Sequence, residues 1–160
     1  MNLSFDVLMI GGGVAGVQAA IAAKKACPSK SVAIVSNEPA IYLRPALRSV
    51  ITGYVECVSD IAIYPSEILE QLQITFLKDH EALNITPDTR FVTVKNKHEF
   101  SIKYDKLVFT TGSVPAFPQT IKSSRSGLFT IKWLNDALEL SRYSTPKMKA
   151  FVDGAGFIGL

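Results

Sequence analysis

Apolar residues in this chain arrive in short blocks separated by glycine, proline and charge, and the blocks differ in period. Phe5-Asp6-Val7-Leu8-Met9-Ile10 is a run of strand formers that stops at Gly11. From Val14 to Ala26 the sequence is alanine-rich and free of proline, and it closes on Lys24-Lys25, where a helix dipole favours cations. Pro28 prevents continuation. Ser31-Val32-Ala33-Ile34-Val35-Ser36 is apolar on both faces, as a strand inside a parallel sheet must be. Strand, helix and strand together predict one βαβ unit.

The pattern then loosens. Residues 39–65 read as irregular to weakly helical, punctuated by Arg44-Pro45, Gly53 and Pro65. A short helix is predicted over Ser66–Gln71, with Ser66 as its cap, and a third strand over Ile74–Leu77. Two alternating runs, 90–94 and 100–102, flank polar Lys95-Asn96-Lys97-His98 and predict an antiparallel hairpin with one wet face. Residues 106–110 predict a buried strand ended by Gly112. Pro115, Pro118 and Ser123-Ser124-Arg125-Ser126-Gly127 mark a linker, Asn135–Arg142 a helix, and Lys149–Asp153 a last strand.

With 160 residues, 48% of them apolar and 19% charged, the composition is that of a globular domain. A net charge of +3 without a basic tract gives no sign of nucleic-acid binding and suits anionic phosphates. The uncharged run Val7–Ala23 sits at the lower edge of what spans a bilayer, but three glycines break it and no basic residue precedes it. It is therefore read as a buried strand-turn-helix, and the protein as a non-membrane, cytoplasmic one. Cys27 and Cys57 form no CxxC pair, and His80 and His98 have no partner spacing. No metal site is predicted, and no side chain is nominated as catalytic acid, base or nucleophile. Trp133 falls at helical spacing among apolar residues and reads as packing.

Chemistry is concentrated in Gly11-Gly12-Gly13-Val14-Ala15-Gly16, a G-x-G-x-x-G spacing between a predicted strand and a predicted helix. Gly11 permits the tight turn, Gly13 lets a pyrophosphate approach the backbone, and Gly16 with Ala20 lets the helix lie close on the sheet. The N–H groups of Val14 and Ala15 open a helix whose positive end suits phosphate. Glu38 stands just past the second strand, at the distance expected of a carboxylate that accepts ribose hydroxyls, with Ser36 and Asn37 able to share the task. A second, weaker copy of the spacing closes the sequence in Gly154-Ala155-Gly156-Phe157-Ile158-Gly159.

Four stretches in order, "DVLMIGGGVAGVQAA", "SNEPAIYLRPALRSVITG", "YDKLVFTTGSVPAFP" and "GLFTIKWLNDALEL", resemble the FAD-dependent pyridine nucleotide-disulfide oxidoreductases. The likeness is to rubredoxin and ferredoxin reductases, NADH oxidases and the flavoprotein segment of nitrite reductases. It implies that the first glycine turn binds FAD and not NAD, and that Arg44-Pro45 lies along the flavin side. It also implies that Thr111 and Gly112, within Thr110-Thr111-Gly112, bring backbone to the cofactor, and that Ala82 meets adenine through its main chain. Thiol-dependent members of that family carry a redox cysteine within the region corresponding to 42–50. Tyr42-Leu43-Arg44-Pro45 offers none, and Ser49 stands where the ferredoxin reductases usually have Lys. "RPALRSVITG" looks more like the nitrite-reductase and NADH-dehydrogenase-like branch.

The fold expected is α/β: a three-layer, Rossmann-like FAD-binding domain with a central parallel sheet and a small antiparallel β layer. Residues 1–115 would form the first part of the FAD domain, 116–148 a linker and helix, and 149–160 the first strand and turn of an NAD(P)H domain that includes Gly154, Gly156 and Gly159. On this view the chain is the N-terminal piece of a longer enzyme, inactive by itself, which passes hydride from a nicotinamide dinucleotide to FAD and electrons to an unidentified acceptor. Its apolar tail would self-associate, as in a homodimer, or remain disordered. Two other readings stay open: an NAD-binding Rossmann domain of another dehydrogenase class, and a cofactor-free fragment that self-associates.

Overall fold

A computed structural model describes residues 3–55, 57–116, 127–154 and 156. In chain order its elements are β1 (Leu3–Ile10), α1 (Val14–Ala26), β2 (Val32–Val35), a 3₁₀ turn (Arg44–Ala46), α2 (Leu47–Ile51), a second 3₁₀ turn (Val58–Ile61), α3 (Ser66–Gln71), β3 (Ile74–Leu77), β4 (Glu81–Thr86), β5 (Phe91–Lys95), β6 (Glu99–Phe109) and α4 (Leu134–Tyr143). The chain divides into two compact units, Met1–Tyr42 with Ala62–Gly112, and Leu43–Ile61 with Ser113–Leu160.

The first unit is built on one six-stranded sheet in the order β3-β2-β1-β6-β5-β4. Strands β3, β2, β1 and β6 run parallel, and β6, β5 and β4 antiparallel. All four side chains of β2 are buried, which its unbroken Val-Ala-Ile-Val demands of a strand covered on both sides. On one face Val17 and Ala20 of α1 and Leu69 of α3 pack with Met9, Val32, Ile34, Ile41 and Ile74. On the other, Leu8, Ile10, Ala33 and Val35 share a cluster with Val92, Val94, Ile102 and Tyr104. The antiparallel strands thus complete a core on the face away from α1, and the fold is α/β and Rossmann-like.

The boundaries of α1 and β3 fall where the residue pattern predicts them. The two expected strands at 100–102 and 106–110 are instead a single strand, β6. Its first part pairs with β5 and its later part, through Phe109, with β1. Polar Lys103 and Asp105 disguise this continuity in the sequence, because they point to exposed positions while Ile102 and Tyr104 are buried. Strand β4 had no sequence signal of its own; its register slips between Ala82 and Asn84, and that bulge blurs its alternation. Ser66 is the first residue of α3 and caps nothing with its side chain.

Register is pinned at the entrance of the parallel strands by Asp6. Its carboxylate accepts from the Ser31 N–H (2.8 Å), the Ser31 hydroxyl (2.7 Å) and Lys30 Nζ (2.7 Å). The Asp6 N–H in turn donates to Ser31 Oγ at 2.9 Å. The Lys30 ammonium, with Ser31, holds the Asp6 carboxyl well below the usual carboxylate range. A lowered folded-state pKa contributes stability above the unfolded value of about 3.9, and that stability fades as the pH falls below it. Asp6→Asn is therefore expected to melt below wild type at pH 7, with the difference narrowing steadily as the pH is lowered from 5 toward 2. A gap constant across that range in thermal melts would assign Asp6 no electrostatic part.

In the second unit α2 and α4 pack together, with Leu47, Val50, Leu134 and Ala137 buried. The Asp136 carboxylate reaches back to the N–H groups of Lys132 (2.8 Å) and Trp133 (2.9 Å) and caps the start of α4. The strand expected at Lys149–Asp153 does not form. These residues are irregular, Phe151 is 92% exposed and Val152 60%. No neighbouring strand pairs with them among the described residues, and apolar content without a pairing partner does not make a strand.

Candidate functional site

The G-x-G-x-x-G spacing places Gly11, Gly13 and Gly16 across the turn from β1 into α1, and the structure shows that they do different work. Gly11 takes φ +115°, a left-handed conformation, and a Cβ there would strike the Thr110 carbonyl. Its N–H donates to Val35 O at 2.8 Å, so the turn begins while still joined to β2. Gly16 faces back across the turn, and a Cβ on it would run into Gly11 O and lie 2.8 Å from Thr110 Oγ1. A Cβ on Gly13, by contrast, would meet nothing within 4 Å. Two of the motif's glycines let the chain pack, and the third leaves an open face.

That open face lies at the head of α1. Gly13 is the N-cap residue and, having no side chain, makes no side-chain cap bond. Helix geometry leaves the first N–H groups without intrahelical partners, and Val14 and Ala15 are exposed there. Thr110 steadies the turn from below: its N–H donates to Ile10 O (2.8 Å), and its hydroxyl lies 2.9 Å from Gly11 O and 3.1 Å from Ile10 O. Directed N–H groups at a positive helix end, with no Cβ in front of them, suit a phosphate or pyrophosphate.

Beyond β2 the chain is pinned residue by residue. The Ser36 N–H donates to Leu77 O (3.0 Å), and Ser36 Oγ accepts the Glu38 N–H (3.1 Å). The His80 N–H donates to Ser36 O (2.8 Å) and the Asp79 N–H to Glu38 O (3.3 Å). Glu38 is only 8% exposed, and its Oε2 accepts the Tyr42 hydroxyl at 2.6 Å. Asn37 is exposed beside it. A Cβ on Gly12 would come within 2.7 Å of both Cβ and Oγ of Ser36, so the glycine turn and the acidic loop are packed against each other.

The other nominated residues are distributed as follows. Thr111 and Gly112 follow β6, both exposed, with Gly112 at φ +72° and open space beside it. Ala82 is the second residue of β4, half-buried against the core on the face away from α1. In the second unit Arg44 begins the first 3₁₀ turn, and its Nη1 donates to Lys132 O at 2.7 Å; Pro45 follows, exposed. Gly154, at φ +113°, and Gly156 are exposed, and a Cβ on either would meet nothing within 4 Å. Gly159 lies outside the described residues. Tyr42 and the Thr110 hydroxyl had no local sequence signal, because each takes its place only through the fold. Among the described residues no group of His, Cys, Asp and Glu could hold a metal ion, and no helix is long and apolar enough to cross a membrane.

An open-faced glycine turn between a parallel strand and an uncapped helix, with an acid held just past the second strand, defines a dinucleotide-binding α/β fold. The family is more specific: residues 5–160 match the profile of the pyridine nucleotide-disulphide oxidoreductases, and the chain belongs to that family. It is 30% identical over 159 residues to an NADH-rubredoxin oxidoreductase of Clostridium acetobutylicum, covering 98% of this chain and 40% of that protein. An NADH oxidase of Methanocaldococcus jannaschii is 26% identical over 96% of this chain and 36% of its own length. The crystal structure of the Clostridium NADH:rubredoxin oxidoreductase superposes with a TM-score of 0.78, over 98% of this chain and 40% of that one. A water-forming NADH oxidase of Lactobacillus brevis bound to NADH gives 0.74 at 25% identity, covering 86% of this chain and 32% of the other. The chain spans well under half the length of these relatives.

Proposed function

We propose that this chain supplies the FAD-binding part of an NAD(P)H-dependent flavoprotein oxidoreductase. The observation that carries the reading is the open face of Gly13 at the uncapped head of α1, where a Cβ would meet nothing. In this assignment the N–H groups of Gly13, Val14 and Ala15 hold the pyrophosphate. Glu38, with Asn37 beside it, accepts the ribose hydroxyls, and the main chain at Ala82 and at Thr111-Gly112 closes on the cofactor. Bound FAD supplies the redox chemistry; the protein's task is to orient it and to exclude the wrong nucleotide. The Gly154 and Gly156 spacing would begin the segment that receives NAD(P)H, supported by the same positive φ at its first glycine as at Gly11. Electrons would leave to an acceptor of the size range from a small molecule to a small redox protein.

The test is equilibrium dialysis of the purified chain against FAD and against NAD⁺. Retention of FAD in preference to NAD⁺ is expected, and preference for NAD⁺ would move the first turn to another dehydrogenase class. Within the same measurement, Glu38→Ala removes an acceptor of charge-assisted hydrogen bonds worth about 1.5–3 kcal/mol, so FAD should bind about ten- to a hundredfold more weakly. An unchanged dissociation constant would take the ribose role away from Glu38.

A further inference from the structure

We propose that Tyr42 is a positioning residue for the cofactor's ribose, acting through Glu38. The inference rests on the reading of the first glycine turn as the FAD site and extends it to the residue bonded behind Glu38. Tyr42 is 4% exposed and follows Ile41, which is fully buried in the core beneath α1. Its backbone is bridged to Ala62, and the Ile63 N–H donates to Ile41 O at 2.9 Å, so the residue has little freedom to move. From this fixed base its hydroxyl donates to Glu38 Oε2 at 2.6 Å in a buried setting. An O–H to carboxylate bond of that length belongs to the strong, charge-assisted class.

Glu38 is fixed from its backbone side as well, through Ser36 Oγ and the Asp79 N–H. Backbone contacts by themselves leave the χ angles of a Glu undetermined. The Tyr42 hydroxyl, 2.6 Å from Oε2, takes part in setting them. A carboxylate has about four acceptor directions, so accepting from Tyr42 is compatible with accepting ribose hydroxyls too. Pre-orientation lowers the ordering cost of binding, which is how a residue without ligand contact contributes to affinity.

The experiment is a double-mutant cycle on FAD affinity, with wild type, Tyr42→Phe, Glu38→Ala and the double variant measured by equilibrium dialysis, each checked for folding by circular dichroism. Tyr42→Phe keeps the ring and is expected to weaken FAD about three- to tenfold. In the Glu38→Ala background the same change should alter affinity by less than about twofold, because the hydroxyl has lost the group through which it acts. Placing 4-aminophenylalanine at position 42 restores a donor at the same site and should recover affinity to within about threefold of wild type, even if Tyr42→Phe does not fold. An equal loss in both backgrounds, unchanged affinity in Tyr42→Phe, or an amino analogue that binds more than about threefold more weakly than wild type would each overturn the role of Tyr42. Wild type that binds no FAD would instead overturn the cofactor reading itself.

Discussion

Gly13→Val should leave the chain folded and abolish its capture of FAD. The structure separates these two effects. A side chain at Gly13 meets no protein atom within 4 Å, and the backbone there, at φ −77°, is one that any L-residue adopts. Folding therefore has little reason to resist. A valine would nevertheless fill the face through which a pyrophosphate approaches the N–H groups at the head of α1. Displacing the phosphates from two charge-assisted hydrogen bonds, at about 1.5–3 kcal/mol each, weakens binding by about a hundredfold or more. The expected pair of results is a melting temperature near wild type and no measurable FAD retention on dialysis. A variant that keeps its flavin affinity would remove the pyrophosphate from this turn.

Gly16→Ala should do the reverse damage and unsettle the fold itself. Helix propensity alone favours alanine over glycine inside α1 by about 1 kcal/mol. Steric contact opposes it, because the new methyl would enter the space of the Gly11 carbonyl and crowd Thr110 Oγ1. Both belong to the strand-turn framework, so relief requires α1 to lift off the sheet, where Val17 and Ala20 are wholly buried. Overpacking of this kind costs about 1–3 kcal/mol, and backbone collision lies at the upper end or beyond. Net destabilisation of about 2 kcal/mol would lower the melting temperature by about 4–8 °C in a domain of this size. A melting temperature at or above wild type would show that the turn yields more easily than its geometry implies.

These contrasting glycines show what was readable in advance and what was not. The spacing of the motif is visible in sequence, and so is the helix it opens, because an alanine-rich segment bounded by glycine and proline has few alternatives. The division of labour inside the motif is not visible. It depends on which neighbour each missing Cβ would meet, and those neighbours come from Thr110 and Ser36, far along the chain. Glu38 was legible as an acid past the second strand, yet its burial and its bond to Tyr42 depend on a backbone bridge to Ala62 that no local pattern encodes. Strand β6 hid for a related reason. Its polar positions face outward where it pairs with two different strands, so the alternation reads as an interruption. The segment 149–153 erred in the opposite direction, since its apolar residues look like a strand but have nothing to pair with among the described residues.

The contact between Gly12 and Ser36 reaches into any attempt to exchange the loop after β2. Because a methyl group on Gly12 would collide with Ser36, the glycine turn and the acid-bearing loop are interlocked parts and not exchangeable cassettes. A loop grafted after β2 with a larger residue at 36 would press on the turn ahead of α1, and a residue other than glycine at 12 would push Ser36 away from the Glu38 N–H that it receives. Transplanting the loop after β2 alone therefore carries a hidden requirement for a small side chain at position 36, and swaps in this region should be made on both loops at once.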